Sequence, residues 1–408
     1  MTAICRLCGG HSLLLIADLG LWPIAHHLRR PDSGDEPRFP FRLHACEACG
    51  LLQIAEPIAP EILYAETETY STGFQKPPHV PDLVATLSAH ADPGSVIEIG
   101  CNDGYFMEVL RERGYGPIFG IEPNRPVAVL ARQKGFEIYD EFADAKRCTE
   151  LVAQHGRFGL VVARHVVEHV VDLAAFFSCV RTLIAPDGLF LLELPQVEAG
   201  LDRGNPSILW EEHVNYFTEP VIATMLERFG FVALERRLYA FGGGTVAFVC
   251  RPLEALSKSH KTVPATDTGY YTTFAESLSR YSQGLAACVE AFKHAGYKIA
   301  IYGAAPRSCS VLNACGLGMK LDAVIDDRQA IQGLIMPATR SAIAPLNTIQ
   351  PDGRKWLMLL GVGSENEGRV SAKAKTHLGR ETTFVSLFPP RDTLSSLGTA
   401  MRKLKSHD

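Results

Sequence analysis

The sequence predicts an α/β protein with a doubly wound, Rossmann-like central domain, an N-terminal zinc-binding segment and a C-terminal second Rossmann-like α/β domain. Three observations carry this expectation. Two C-x-x-C pairs, Cys5/Cys8 and Cys46/Cys49, flank one long loop. An apolar run at Val96–Ile99 enters a glycine loop, Gly100 to Gly104, and then a helical pattern. Lys298–Ile299–Ala300–Ile301–Tyr302–Gly303 begins a second strand-to-loop-to-helix unit. At 408 residues, 47% of them hydrophobic and 21% charged, the chain exceeds what one core holds, so three segments are expected: residues 1–63, 64–255 and 256–408.

In the first segment, two thiolates at C-x-x-C spacing chelate one tetrahedral ion from a single tight turn, and a second such turn completes a four-sulfur shell. Cys5, Cys8, Cys46 and Cys49 are therefore the expected zinc ligands. A closed shell leaves no open coordination position, so the metal is structural. The short apolar runs around the pairs, such as Leu13–Ile16 and Leu51–Ile54, read as small strands. The other cysteines are scattered singly through apolar stretches, as in a reduced, cytoplasmic protein.

In the second segment, strands alternate with helical patterns. The glycine loop lets backbone approach a ligand at the following helix N-terminus, Tyr105–Phe106. The next strand ends at Glu122–Pro123, about twenty residues on, where doubly wound folds grip ribose hydroxyls. After the strand Phe158–Ala163 comes Arg164-His165-Val166-Val167-Glu168-His169, an H-x-x-E-H spacing that can bind zinc from one helical face. His165 falls where that strand ends and no third ligand is apparent, so a metalloprotease is not expected. A further strand ends at Pro195, and the loop beyond it carries Trp210-Glu211-Glu212-His213-Val214-Asn215-Tyr216. Loops at the carboxyl ends of parallel strands are where such folds keep substrate groups. The polar stretch Ser257 to Thr268 reads as a linker.

The formal net charge of -5 argues against a nucleic-acid partner. No apolar run is long enough to cross a bilayer, so a soluble protein without a membrane partner is expected. The sequence does not reveal an oligomeric state.

The loop from Glu98 to Gly104 departs from Gly-x-Gly-x-x-Gly and resembles that of the class I S-adenosylmethionine-dependent methyltransferases. That resemblance implies that Glu98, Gly100, Asn102, Gly104, Tyr105 and Phe106 surround the methionine part of the cofactor and that Glu122 with Pro123 takes the ribose. Nearly the whole chain resembles one family, the three-domain, zinc-containing sugar-nucleotide C-methyltransferases that act on deoxysugar 4-keto intermediates. The resemblance runs through Ala17–Gly20, Pro23–Ala25, Ile97–Gly104, the Glu212-His213-x-x-Tyr216-Phe217 loop, Gly242–Gly243, Tyr302–Ala305 and Ile325–Asp327. It implies a small-molecule substrate, a nucleotide sugar, methylated at carbon beside a ketone. It further implies His213 as the base that removes the carbon's proton, Glu212 as its orienting partner, His169 as a donor to the developing oxyanion and Tyr70 near the substrate.

Departures from the family pattern bear on the acceptor. Trp210 stands where the sugar enzymes carry tyrosine, and Pro306–Ser308, Pro337–Arg340 and Gly361–Asn366 differ from the usual motifs. An O- or N-methyltransferase of another metabolite on the same scaffold is the alternative that these differences leave open. A binding protein without turnover is the non-enzyme alternative, and intact Glu98, Gly100, Glu122 and His213 speak against it.

Overall fold

The computed structural model describes residues 4–63, 76–90, 92, 94–253, 268–388 and 393–405. Tyr70 and all of the expected linker but Thr268 lie outside the described residues. Among the described residues, three sheets account for the strands. The first is ordered β1-β2-β3-β9, with β1 at Leu13–Pro23, β2 at Arg38–Cys46 and β3 at Leu52–Ile54. In chain order β4 (Val96–Ile99), β5 (Ile118–Ile121), β6 (Glu137–Tyr139), β7 (Phe158–Arg164) and β8 (Ile184–Pro195) follow. Next come β9 (Asn215–Tyr216), β10 (Phe231–Tyr239) and β11 (Thr245–Pro252).

The second sheet has seven strands ordered β10-β11-β8-β7-β4-β5-β6. From β8 through β6 every neighbouring pair is parallel, and β11 and β10 are antiparallel. The chain leaves β4 for β5 and β6 on one side, then returns to lay β7 and β8 on the other. This is the fold of class I methyltransferases, and β4 marks the place where the strand order reverses. Ligands of such sheets sit outside the carboxyl ends of the strands at that reversal.

Helices cover both faces, so β4 is buried along its whole length. The period of two in its apolar run splits it between two cores. Ile97 and Ile99, with Val161 and Ala163 of β7, face Phe177, Phe190 and Phe231. Val96, Leu160 and Val162 face Leu83, Phe106 and Leu110. Phe177 stacks on Phe229 at 4.4 Å, and truncating it to alanine would cost about 3 to 5 kcal/mol. Cys5, Leu7, Cys46, Cys49 and Leu51 belong to the first of these cores, together with Phe217, Val221 and Ile222. The zinc-type turns and the central sheet therefore share one hydrophobic interior.

The third sheet is all parallel and comprises β12 (Lys298–Tyr302), β13 (Ala323–Ile325), β14 (Ile343–Ala344), β15 (Trp356–Leu360) and β16 (Thr383–Ser386). Its order, β14-β13-β12-β15-β16, again reverses at its first strand, which makes this the second Rossmann-like unit. Beyond β13, Asp326 accepts the Ala304 N–H at 2.9 Å and pairs with Arg328, closing the loop after β12.

The chain forms two compact units, each assembled from separated stretches. One comprises Met1–Leu14, His44–Val197 and His213–Asp267; the other comprises Leu15–Leu43, Glu198–Glu212 and Thr268–Asp408. Within the second unit the early stretch is built in: Arg29 and Ile335 exchange backbone hydrogen bonds of 3.0 and 2.6 Å, and Glu36 accepts the Ala338 N–H.

Candidate active site

Where β4 ends, Gly100 has φ +72°, and a Cβ there would stand 2.5 Å from Val166 Cγ2. Only glycine lets the loop pass that side chain in this conformation. The Asn102 side chain accepts the Asp103 N–H, and Asp103 accepts the Tyr105 N–H as the helix Tyr105–Glu112 begins behind Gly104. Glu122, at the end of β5, accepts the N–H groups of Asn102 at 2.9 Å and Asn124 at 2.8 Å. One carboxylate thus fixes both the glycine loop and the turn after β5. Burial raises the Glu122 carboxyl above its ordinary value, with the two N–H donors opposing it. Pro123 is half-buried beside it and Tyr105 is half-buried, whereas Phe106 points into the core under the Arg164 guanidinium, 4.3 Å above its ring.

Glu98 is 2% exposed, and its Oε2 has no hydrogen-bond partner. Burial pushes its carboxyl up to about 8; Arg164 opposes the shift, while Glu193, Glu122 and Asp103 add to it. A buried, unpartnered carboxyl beside an open glycine loop fits a ligand that brings positive charge, as the ammonium and sulfonium of S-adenosylmethionine do.

The strand next to β4 supplies a second cluster. β7 ends at Arg164, and His165 turns the chain at φ +53° into the single helical turn Val167–His169. Asn215 clamps this turn, donating to the carbonyls of Val167 at 3.3 Å and Val170 at 2.7 Å. Asn215 begins β9, two residues after His213, so the clamp brings His213 to His169 with ring centroids 4.9 Å apart and nearly perpendicular. Glu168, 2% exposed, lies with them: its carboxylate and the two imidazoles place ligand-type atoms within 4.8 Å of one another. His165 Nδ1 stands 3.3 Å from Glu168 and its Nε2 3.7 Å from Glu193. Burial alone would lower the His165 imidazole, but Glu168 and Glu193 raise it to about 9. Glu193 is fully buried and holds Arg164 and, at 2.6 Å, His79, which keeps it ionised despite its burial.

The four cysteines form two copies of one turn. Gly9 donates to Cys5 carbonyl and Gly50 to Cys46 carbonyl, both at 2.8 Å and both with φ near +75°. Their sulfurs all lie within 4.8 Å of one another, with Cys5 to Cys49 at 3.4 Å and Cys8 to Cys46 at 3.5 Å. Four Zn–S bonds of about 2.3 Å in a tetrahedron need sulfurs about 3.8 Å apart, so the set fits zinc with little movement. Between Cys5 and Cys8, Arg6 donates to the carbonyls of Ile54 at 2.6 Å and Val214 at 3.1 Å. Gln53 joins the same brace, accepting the Arg6 N–H and donating to Ile4 carbonyl. The turn therefore grips β3 and β9 where they pair, at Leu52↔Tyr216 and Gln53↔Asn215.

Glu212 belongs to the other unit, where its carboxylate meets His26 Nδ1. Glu211 accepts the Ala25 N–H beside it, and burial together with Glu212 pushes Glu211 up to about 8. Sequence reasoning singled out neither His26 nor Glu168. The former is one of two adjacent histidines in a loop; the latter stood in plain view inside H-x-x-E-H, read there only as a zinc motif.

Three family descriptions match in succession: "Putative zinc binding domain" over residues 5–64, "Methyltransferase domain" over 75–236 and "C-methyltransferase C-terminal domain" over 246–389. The chain is 27% identical over 359 residues to C-methyltransferase NovU of Streptomyces niveus, covering 83% of this chain and 84% of that one. It is 30% identical over 135 residues to the mitochondrial ubiquinone biosynthesis O-methyltransferase of Bos taurus, spanning 30% of this chain and 36% of that enzyme. Among solved structures, a Burkholderia thailandensis 1,6-didemethyltoxoflavin-N1-methyltransferase with bound S-adenosylhomocysteine aligns with a TM-score of 0.36 at 16% identity, covering 50% of this chain and 95% of that one.

Proposed function

We propose that the chain, which matches a zinc-binding, a methyltransferase and a C-methyltransferase C-terminal domain in succession, is an S-adenosylmethionine-dependent C-methyltransferase that methylates carbon beside a ketone on a nucleotide-linked deoxysugar. The observation that carries the proposal is the meeting of His169 and His213 beside the carboxyl end of β7. A carbon acid next to a ketone needs a base near neutral pKa and a donor for the enolate oxygen. Two imidazoles held together supply both roles.

In this reading Glu98, Gly100, Asn102, Gly104 and Tyr105 hold the methionine part of the cofactor, and Glu122 with Pro123 its ribose. When bound, S-adenosylmethionine supplies a methyl group already made electrophilic by its sulfonium. His213 removes the acceptor's α-proton and keeps it as imidazolium. His169 donates to the oxygen on which negative charge gathers, which would leave the substrate carbon poised to take the methyl group as the cofactor departs as S-adenosylhomocysteine. The zinc is structural, and the protein works in the cytoplasm, which its unpaired cysteines support.

A screen of candidate 4-keto-deoxysugar nucleotides with carbon-13-methyl-labelled cofactor tests the proposal. The expected product shows one-bond coupling between the new methyl carbon and a ring carbon and keeps its methyl group through mild hydrolysis. A label found only on oxygen or nitrogen would overturn it.

A further inference from the structure

We propose that Glu168 is a positioning residue for the His169–His213 pair: its buried carboxylate orients the two imidazoles and balances the charge that one of them gains when it takes the substrate proton. The inference rests on the reading of His213 as base.

Glu168 sits in the middle of a single helical turn, the place where a side chain is most easily left in solvent, yet it is 2% exposed. Its Oε2 has no hydrogen-bond partner, and its Oε1 has only the ion pair with His165 at 3.3 Å. A carboxylate so placed is a poor structural element, because burial of an ionised group without hydrogen bonds to both oxygens carries a penalty of several kcal/mol. Among the described residues three imidazoles lie around it: His165 and His169 from its own turn, and His213 from the loop before β9. Burial alone would raise the Glu168 carboxyl, but His165, His169 and His213 outweigh it and hold it below the ordinary value.

The carboxylate lies on the same face as the pair, and the Asn215 clamp fixes all three relative to one another. A carboxylate within reach of an imidazole selects its tautomer and stabilises the imidazolium. Behind them stand Glu193, Arg164 and His79. Glu193 of β8 reaches His165 from behind, and Arg164 of β7 neutralises Glu193. His165 thus lies between the two carboxylates and Arg164 holds Glu193, while Glu168 Oε2, without a hydrogen-bond partner, retains capacity for the imidazole pair.

The test is the titration of histidine ring signals in full-length, zinc-loaded, nitrogen-15-histidine protein, which needs no substrate. In Glu168→Gln the His213 or His169 signals are expected to titrate about one pH unit lower than in the parent protein. Glu168→Asp should recover most of the difference. Calorimetry with S-adenosylhomocysteine, at unchanged affinity, shows that both variants are folded. In turnover, the acidic limb of the pH–rate profile of Glu168→Gln should move to lower pH by the same amount, with KM for the cofactor unchanged. If Glu168→Gln fails to fold, Glu168→Ala must show the same downward shift of the imidazole signals. Unshifted titrations would overturn the proposal. So would a second equivalent of metal per chain that disappears with Glu168→Gln, which would make these three side chains a ligand set. Should His213→Asn retain full turnover, the base assignment itself fails; an inactive His213→Asn beside an unshifted Glu168→Gln sinks only the role given to Glu168.

Discussion

Arg6 Nη1 donates to the carbonyl of Val214 at 3.1 Å across 208 residues of sequence, so a side chain set between two zinc-type cysteines holds the backbone next to His213. Its Nη2 holds Ile54 carbonyl at 2.6 Å, on the strand that pairs with β9.

Arg6→Leu should therefore keep its metal but lose turnover. Two carbonyls lose a charged donor, at about 1.5 to 3 kcal/mol each, and the loop bearing His213 loosens. We expect a stability loss of about 3 to 6 kcal/mol with a full equivalent of zinc retained. Thermal unfolding, metal analysis and kcat on the same preparation check it. A variant with unchanged kcat would show that the brace is not needed to place the histidine.

Loss of the metal should reach further than the knuckles. Because Cys5, Cys46 and Cys49 pack in the same core as Ile97 and Phe217, Cys46→Ser or chelation is expected to lower the melting temperature of the whole first unit. Turnover should fall with it. Active, freshly purified protein containing less than half an equivalent of zinc would contradict this.

Changing Glu122 to glutamine should weaken cofactor binding roughly ten- to a hundredfold, since a charged acceptor is lost and one amide must face a backbone N–H of Asn102 or Asn124. Calorimetry with S-adenosylhomocysteine reads the change. Equal affinity would move the ribose site elsewhere.

Glu98 makes cofactor binding depend on pH. With its carboxyl at about 8 in the free protein, it is protonated at neutrality, and an incoming cation favours the ionised form. Binding should release a proton below pH 8, and affinity should rise with pH by up to about tenfold per unit before levelling off above 8. Calorimetry in buffers of different ionisation enthalpy counts the proton, and Glu98→Gln should abolish the dependence. The same group acts on stability with the opposite slope. Its folded value lies above its unfolded value near 4.3, so its contribution is complete below about pH 4 and is lost as pH rises through 8.

His213→Asn should reduce turnover by about a hundredfold to ten-thousandfold while leaving cofactor affinity nearly constant. It should also stop exchange of the acceptor's α-proton with heavy water in the absence of methyl donor. Retention of most turnover would favour O- or N-methyl transfer.

What the sequence made legible was local. The spacing of Cys5, Cys8, Cys46 and Cys49, the glycine loop after Ile99 and the carboxylate at Glu122 each depend on a few neighbouring residues, and each could be located by counting. Long-range pairings left no such mark. Nothing around Arg6 points to Val214, and nothing around Glu212 points to His26, although the second contact is buried. The H-x-x-E-H run is set aside as a helical zinc motif, but its spacing does not show where Glu168 points. Its spacing assumes a regular helix from His165, whereas His165 has φ +53° and only one helical turn follows, so Glu168 and His169 turn toward His213 instead. Continuous segments were the natural expectation, because sequence patterns do not announce when a stretch such as Leu15–Leu43 is built into a core more than two hundred residues away.

That interrupted layout has a consequence for the order in which the protein is made. The stretch Leu15–Leu43 leaves the ribosome well before Ile335 and Ala338, which it bonds through Arg29 and Glu36 and which come just over three hundred residues later. At about 5 to 20 residues per second, the early strands wait on the order of 15 to 60 s for their partners. Trp22 and Phe41, 4.2 Å apart in the finished protein, give the waiting strands an apolar contact of their own. Leu15 and Leu21, exposed even in the finished fold, add apolar surface to that waiting contact, and this is where a nascent chain would need a chaperone.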